Sequence, residues 1–192
     1  PQAAGAVRSL LGRDFRMPQM VSNHRAECPR TMLCGWHRDG GAIDSSCLNY
    51  LQVFYYPQDT PRELGPTEVL PSSHFLRIKR RYMMHYGNVR KGVVTAAPAG
   101  SVFITHYSIW HRPRTATAGG IRNLLKFNYR RTAEPTRDWA FDAGVDFARM
   151  NGFTGSTVLG KWYDSVHVGR MFLWLCGLGD DLKFQGGQLH EG

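Results

Sequence analysis

Short apolar runs, each closed by glycine, proline or a polar cluster, set the pattern of this chain. AVRSLLG (6–12) reads as the end of a helix, with Gly12 as its stop. From about residue 31 to 130 the pattern is strand-like. CLNYLQVFYY (47–56) is rich in β-branched and aromatic residues and ends at Pro57. PQDTPRELGP (57–66) is a turn cluster, and TEVLP (67–71) a short strand. SSHFLRIKRRYMMHYG (72–87) fits a helix or an exposed loop. GVVTAAPAG (92–100) leads into SVFITHYSIWH (101–111), a strong strand. HRPRTATAGG (111–120) reads as a loop, and IRNLLKFNYRR (121–131) as another strand. Several short strands between Gly/Pro turns predict a sandwich or barrel. Beyond Glu134 the composition shifts. DWAFDAGVDFARMNGF (138–153) and SVHVGRMFLWLCGLG (165–179) have helix-length apolar content. They predict a helical C-terminal extension, 135–192, packed on a core formed by 1–134. The closing GGQLHEG reads as frayed.

Composition changes this picture little. A chain of 192 residues suggests one domain, and 42% hydrophobic residues suffice for a core. No apolar run approaches the roughly 20 residues of a membrane span, and the first residues do not read as a signal peptide. Cys28, Cys34, Cys47 and Cys176 show no C-x-x-C spacing, so they are expected as reduced thiols in a cytoplasmic protein. A net charge of +9 favours anionic partners. The densest basic cluster, Arg77, Lys79, Arg80 and Arg81 followed by Arg90 and Lys91, is expected to be a solvated face. No zinc-finger, RNP or helix-turn-helix pattern accompanies it, so nucleic acid is not the expected partner.

Candidate chemistry begins at GWHRDGG (35–41). In an extended segment His37 and Asp39 project to one side, and Gly40 and Gly41 let the backbone turn away. His111, at the end of an apolar strand, is the best third ligand; His106 on the same run competes with it. Two histidines and one carboxylate with open positions form the facial triad of non-haem Fe(II) oxygenases. Arg122 follows eleven residues after His111. A buried arginine is costly without an anion, and its planar fork suits a carboxylate. It is therefore placed to hold the far end of a dicarboxylic co-substrate.

Taken together, WHRDG, QVFYYPQDTPRELGPTEVLPSSH, GSVFITHYSIWH and Arg122 resemble the phytanoyl-CoA dioxygenase family of Fe(II)/2-oxoglutarate-dependent oxygenases, over roughly residues 8–132. The resemblance implies a mainly β fold, a double-stranded β-helix (jelly-roll) core with flanking helices. It implies His37, Asp39 and His111 as iron ligands and as the catalytic centre, and Arg122 as the 2-oxoglutarate anchor. Phe54 stands where the family has an aromatic residue lining the co-substrate pocket, and Gln52, on the same strand face, is a weaker candidate. The implied reaction is hydroxylation of a small organic molecule, with 2-oxoglutarate and O2 converted to succinate and CO2. Asp39 argues for hydroxylation over halogenation, because halogenating relatives carry a small residue there.

The chain departs from the pattern in places. Ser72 replaces the usual glycine of P-G-S-H, and Pro113 stands where some members have a hydroxyl residue. Only 35 residues precede W-H-x-D, where the family has about 80, so N-terminal elements of the core are expected to be missing. Trp36 and Trp110 are expected as core aromatics, His74 as structural, and His24 and His85 at the surface or pocket rim. Other readings stay open: a non-catalytic or truncated relative, and a basic anion- or nucleic-acid-binding β domain.

Overall fold

The computed structural model describes residues 2–17, 21–32, 34–40, 47–75, 80–135, 139 and 169–177. Gly41, most of the basic 77–81 run, nearly all of 138–153 and the closing GGQLHEG lie outside them. Helix α1 (Gln2–Leu11) ends as predicted. Gly12 adopts φ 84° and its N–H closes on the Arg8 carbonyl, the left-handed stop that glycine reaches without strain.

The strands are β1 (Ser22–Asn23), β2 (Ala26–Arg30), β3 (Tyr50–Tyr55), β4 (Thr67–Leu70), β5 (Val93–Val94), β6 (Val102–His106), β7 (Trp110–Pro113), β8 (Ala116–Arg122) and β9 (Leu125–Arg130). A single helical turn, α2 (Arg80–Met83), lies between β4 and β5. One antiparallel sheet has the order β1-β9-β3-β6, a second β5-β4-β7, and β2 pairs with β8 as a ribbon. Strand pairing thus begins near residue 22, earlier than the pattern suggested.

Central strand β3 shows how the core is divided. Successive side chains face opposite ways, and both faces are buried. Leu51 and Val53 join Val7 and Leu11 of α1, Leu48 and Leu175 in one apolar cluster. Gln52 and Phe54 face the other way, and Phe54 packs with Tyr56, Val69, Ile109 and Leu124 in a second. Residues 169–175 are helical. They reach the first cluster through Leu175, whose carbonyl accepts from the Trp139 N–H. Trp36 and Trp110 are core residues as expected, both nearly inaccessible to solvent.

Three local expectations are corrected. The run 101–111 is two strands in different sheets: β6 pairs with β3, and β7 with β4. A turn at 107–108, closed by Ile109 N–H on the His106 carbonyl, redirects the chain. The run's continuous apolar and aromatic content hides such a change of sheet, although β7 is buried and β6 only partly so. His106 and His111 therefore do not share a strand. The expected loop at 111–120 holds the end of β7 and most of β8, whose small, largely exposed residues carry little apolar signal. Arg122 closes β8 instead of opening the next strand, and the chain breaks at Asn123, whose N–H and side-chain amide both bond Gln58. Among the described residues no helix is long and apolar enough to cross a membrane.

Candidate metal centre

His37 lies outside the named strands, in an isolated bridge with His111. The two residues exchange both backbone hydrogen bonds, at 3.0 and 2.9 Å. That pairing extends the β5-β4-β7 sheet by one residue and sets the two imidazoles side by side, their ring centroids 4.4 Å apart. The motif residues around it hold this edge in place. Ser73 Oγ accepts the Trp110 N–H at 2.9 Å. Ser72, where the resemblance expects glycine, takes φ 62°, in the left-handed region that favours glycine.

Each imidazole is oriented by its own backbone. His37 Nδ1 meets the Gly35 carbonyl at 3.2 Å, and His111 Nδ1 meets the Ile109 carbonyl at 3.0 Å. A carbonyl only accepts, so each Nδ1 carries the proton, and in the neutral ring Nε2 keeps its lone pair. Burial, then the neighbouring His111, push His37 below the ordinary histidine range despite the Gly35 bond, which favours the charged ring. This is how a histidine is prepared as a metal ligand.

Asp39 supplies the carboxylate. Its Oδ1 lies 3.5 Å from His111 Nε2, while Oδ2 accepts from Lys126 Nζ at 2.9 Å and from the Gln52 amide. Burial alone would raise its proton affinity. The Lys126 ammonium bonded to Oδ2 works against burial and holds the carboxyl below the usual carboxylate range. His37, Asp39 and His111 offer ligand atoms within 4.8 Å of one another, a spacing that suits a single ion, and they form the one such group among the described residues.

His37 and His111 open onto a cavity of about 190 Å³, which Phe54, Lys126, Arg122 and Arg30 also line. Arg122 is 4% exposed. Its Nη1 donates to the Gly65 carbonyl, and its Nε is buried without a partner. Gly65 makes that contact at φ 63°, where a Cβ would stand 2.6 Å from the Arg114 carbonyl oxygen. The G-P of the motif thus brings a carbonyl close enough to brace the arginine. Phe54 packs with its ring centroid 5.6 Å from that of His111.

The structure thus brings His37, Asp39, His111, Phe54 and Arg122 to one place. Gln52 is fully buried on Asp39, and neither of the two is among the residues lining the cavity. His106 stands apart, stacked on His74 with centroids 4.6 Å apart. His24, expected at a surface or rim, lines the cavity. Lys126 was not legible as a site residue. Its signal is a lysine within the apolar run LLKF, paired across the sheet with Phe54 and 7% exposed.

No protein-family model matches the chain, and neither does any curated protein. Solved structures do. A non-heme monooxygenase, the ThoJ–Ni complex, is 20% identical over 75% of this chain and 59% of its own, with a TM-score of 0.52. The non-heme alpha ketoglutarate dependent epimerase SnoN from nogalamycin biosynthesis is 19% identical over 68% and 53%, with a TM-score of 0.54. HygX from Streptomyces hygroscopicus, with nickel and 2-oxoglutarate bound, is 18% identical over 77% and 70%, with a TM-score of 0.54. The chain spans little more than half the length of the first two. At these identities the likeness is one of architecture: this mainly β chain shares the fold of non-heme, 2-oxoglutarate-dependent enzymes.

Proposed function

We propose that this protein is an Fe(II)- and 2-oxoglutarate-dependent dioxygenase that hydroxylates a small organic substrate, a relative of the phytanoyl-CoA dioxygenase family. The reading places its jelly-roll core in residues 1–134, with 135–192 as an extension. The alternating order of β3 and β6 in one sheet, and β4 and β7 in the other, supports the jelly roll. The observation that carries the activity is the triad His37–Asp39–His111, whose two histidines line one cavity with Arg122, an arginine with an unmet N–H.

The residues fit the implied groups. Two Nε2 lone pairs and a carboxylate held ionised suit a divalent iron and leave coordination positions open. Arg122 is buried, braced from one side and unsatisfied on the other, which suits the far carboxylate of a five-carbon keto acid. Iron bound with 2-oxoglutarate and O2 supplies the oxidising power for an unactivated C–H bond, and leaves succinate and CO2. The chain's own part is to hold and exclude. His37 and His111 fix their nitrogens through backbone carbonyls, Arg122 sets the direction of the keto acid, and Phe54 keeps that wall apolar.

Asp39 supports an oxygenase over a halogenase, since the carboxylate occupies a position a halide would need. The test is O2-dependent conversion of 2-oxoglutarate to succinate by Fe(II)-loaded protein. Wild type is expected to form succinate even without its substrate, slowly, and Asp39→Ala is expected to form none. Equal succinate from both proteins would refute the assignment.

A further inference from the structure

The cationic group nearest the triad is already part of the chain. Lys126 Nζ lies 2.9 Å from Asp39 Oδ2 and 3.4 Å from His111 Nε2, and the side chain is buried. His111 Nδ1–H donates to the Ile109 carbonyl, so in the neutral ring Nε2 offers the ammonium a lone pair. That is the same lone pair a metal ion would use. The same carboxylate serves both as well. An ammonium and a divalent ion at shared acceptors repel each other strongly where water is scarce.

We infer that Lys126 is a built-in placeholder cation: it holds Asp39 and His111 together in the metal-free protein, gives up His111 when a metal binds, and then presents its ammonium to an anion in the cavity beside the metal. This rests on the metal-site reading above. The geometry favours the handover. Lys126 projects from β9 beside Phe54, its Nζ 5.5 Å from that ring's centroid, and it lines the cavity with Arg122. A lysine stem is flexible, with rotatable donors, so the ammonium can turn from the triad to the cavity without moving the strand. The anion it meets is of the carboxylate class, the metal-binding end of the keto acid whose far end Arg122 holds.

The inference predicts two effects of opposite sign from one substitution. In Lys126→Met, Ni(II) binds about tenfold or more tightly in the absence of keto acid, because the competitor is gone. In the Ni(II)-loaded protein, 2-oxoglutarate binds about tenfold more weakly, because a charge-assisted partner is gone. The metal-free variant also melts at a lower temperature than the metal-free wild type. A merely structural defect would weaken both ligands together. Lys126→Gln, which keeps a polar side chain, serves as the second variant should the methionine protein fail to fold. Calorimetric titration with Ni(II) alone, then with 2-oxoglutarate, reads all of this without turnover. Unchanged or weaker Ni(II) binding in the variants overturns the placeholder. Tighter Ni(II) binding with unchanged 2-oxoglutarate binding overturns the handover. No Ni(II) binding in wild type or in either folded variant removes the metal-site reading itself, and this inference with it.

Discussion

His111 and Arg112 are consecutive on β7, yet they belong to two charge clusters of opposite kind, one buried and one half-open to a cavity. On one side Glu68 accepts from Arg112 Nε at 2.8 Å and from Arg114 Nη1 at 3.3 Å. Arg112 also donates to the Tyr86 carbonyl and lies over the Trp36 ring at 4.5 Å. Glu68 is 4% exposed, and Gly92 is so close that a Cβ there would meet its Oε1 at 2.6 Å. On the other side Asp39 faces two imidazoles with available lone pairs and one lysine, next to a cavity. The first cluster packs a carboxylate between two guanidinium groups, which carry only donors. The second has acceptors in excess of its one resident cation. A buried carboxylate among donors is a structural joint; a half-buried carboxylate among lone pairs suits a metal ion.

Substitutions that leave each cluster with an unpaired charge should separate these roles. Glu68→Ala strands two arginines, one of them fully buried, and breaking a buried pair this way costs about 3–5 kcal/mol. Its expected signature in denaturant unfolding is a large loss of stability, with metal affinity unchanged in whatever fraction remains folded. Asp39→Ala should behave in the reverse way. Metal affinity falls about 100-fold or more, while stability changes far less, because Asp39 is partly exposed and the Lys126 ammonium can turn to the cavity. Similar profiles for the two variants would dissolve the distinction.

The co-substrate wall gives the next effect. Arg122→Gln should weaken 2-oxoglutarate by about 100-fold, since a buried charged partner is lost, and leave Ni(II) binding intact. Loss of both together would mean that Arg122 braces the fold through Gly65 and does not act as an anchor.

A pH series sharpens the comparison through the histidine that the site does not use. Burial, with a smaller push from Arg38, lowers His106 to about 4, against a bond to the Cys47 backbone that favours the charged ring. The neutral ring is the native form, and the unfolded chain takes up a proton first. Stability from this group is therefore complete above pH 6.5 and is lost as pH falls from 6.5 toward 4, up to about 3 kcal/mol. His106→Gln should flatten that part of the wild-type curve. Parallel curves would show that His106 is not held neutral. The smallest effect lies at Ser72: Ser72→Gly should add about 1 kcal/mol in denaturant unfolding, by relieving a left-handed backbone.

Much of the site could be read before the fold because it is written in short, local words. W-H-x-D, the G-P pair and P-S-S-H each span only a few consecutive residues, and each sets a contact that shapes the site. Gly65 braces Arg122, Ser73 fixes the backbone of Trp110, and Gly35 orients His37. What the sequence hid is non-local. A run of apolar and aromatic residues without Gly or Pro conceals that β6 and β7 belong to different sheets, because nothing in it marks the turn at 107–108. The ribbon β2–β8 has too little apolar character to announce itself. Lys126 was invisible for a similar reason, since a lysine inside an apolar strand reads as a surface residue until Asp39, 87 residues earlier, is seen beside it.

The central claim is that His37, Asp39 and His111 hold iron with 2-oxoglutarate against Arg122. Anaerobic titration of the metal-free protein with Fe(II) and 2-oxoglutarate tests it most directly, through the visible charge-transfer band of an iron-bound keto acid. The account predicts a band in wild type, none in His37→Ala, and a band in Arg122→Ala that needs far more 2-oxoglutarate to develop. A folded wild-type protein that gives no band, or a band that survives His37→Ala unchanged, would contradict it.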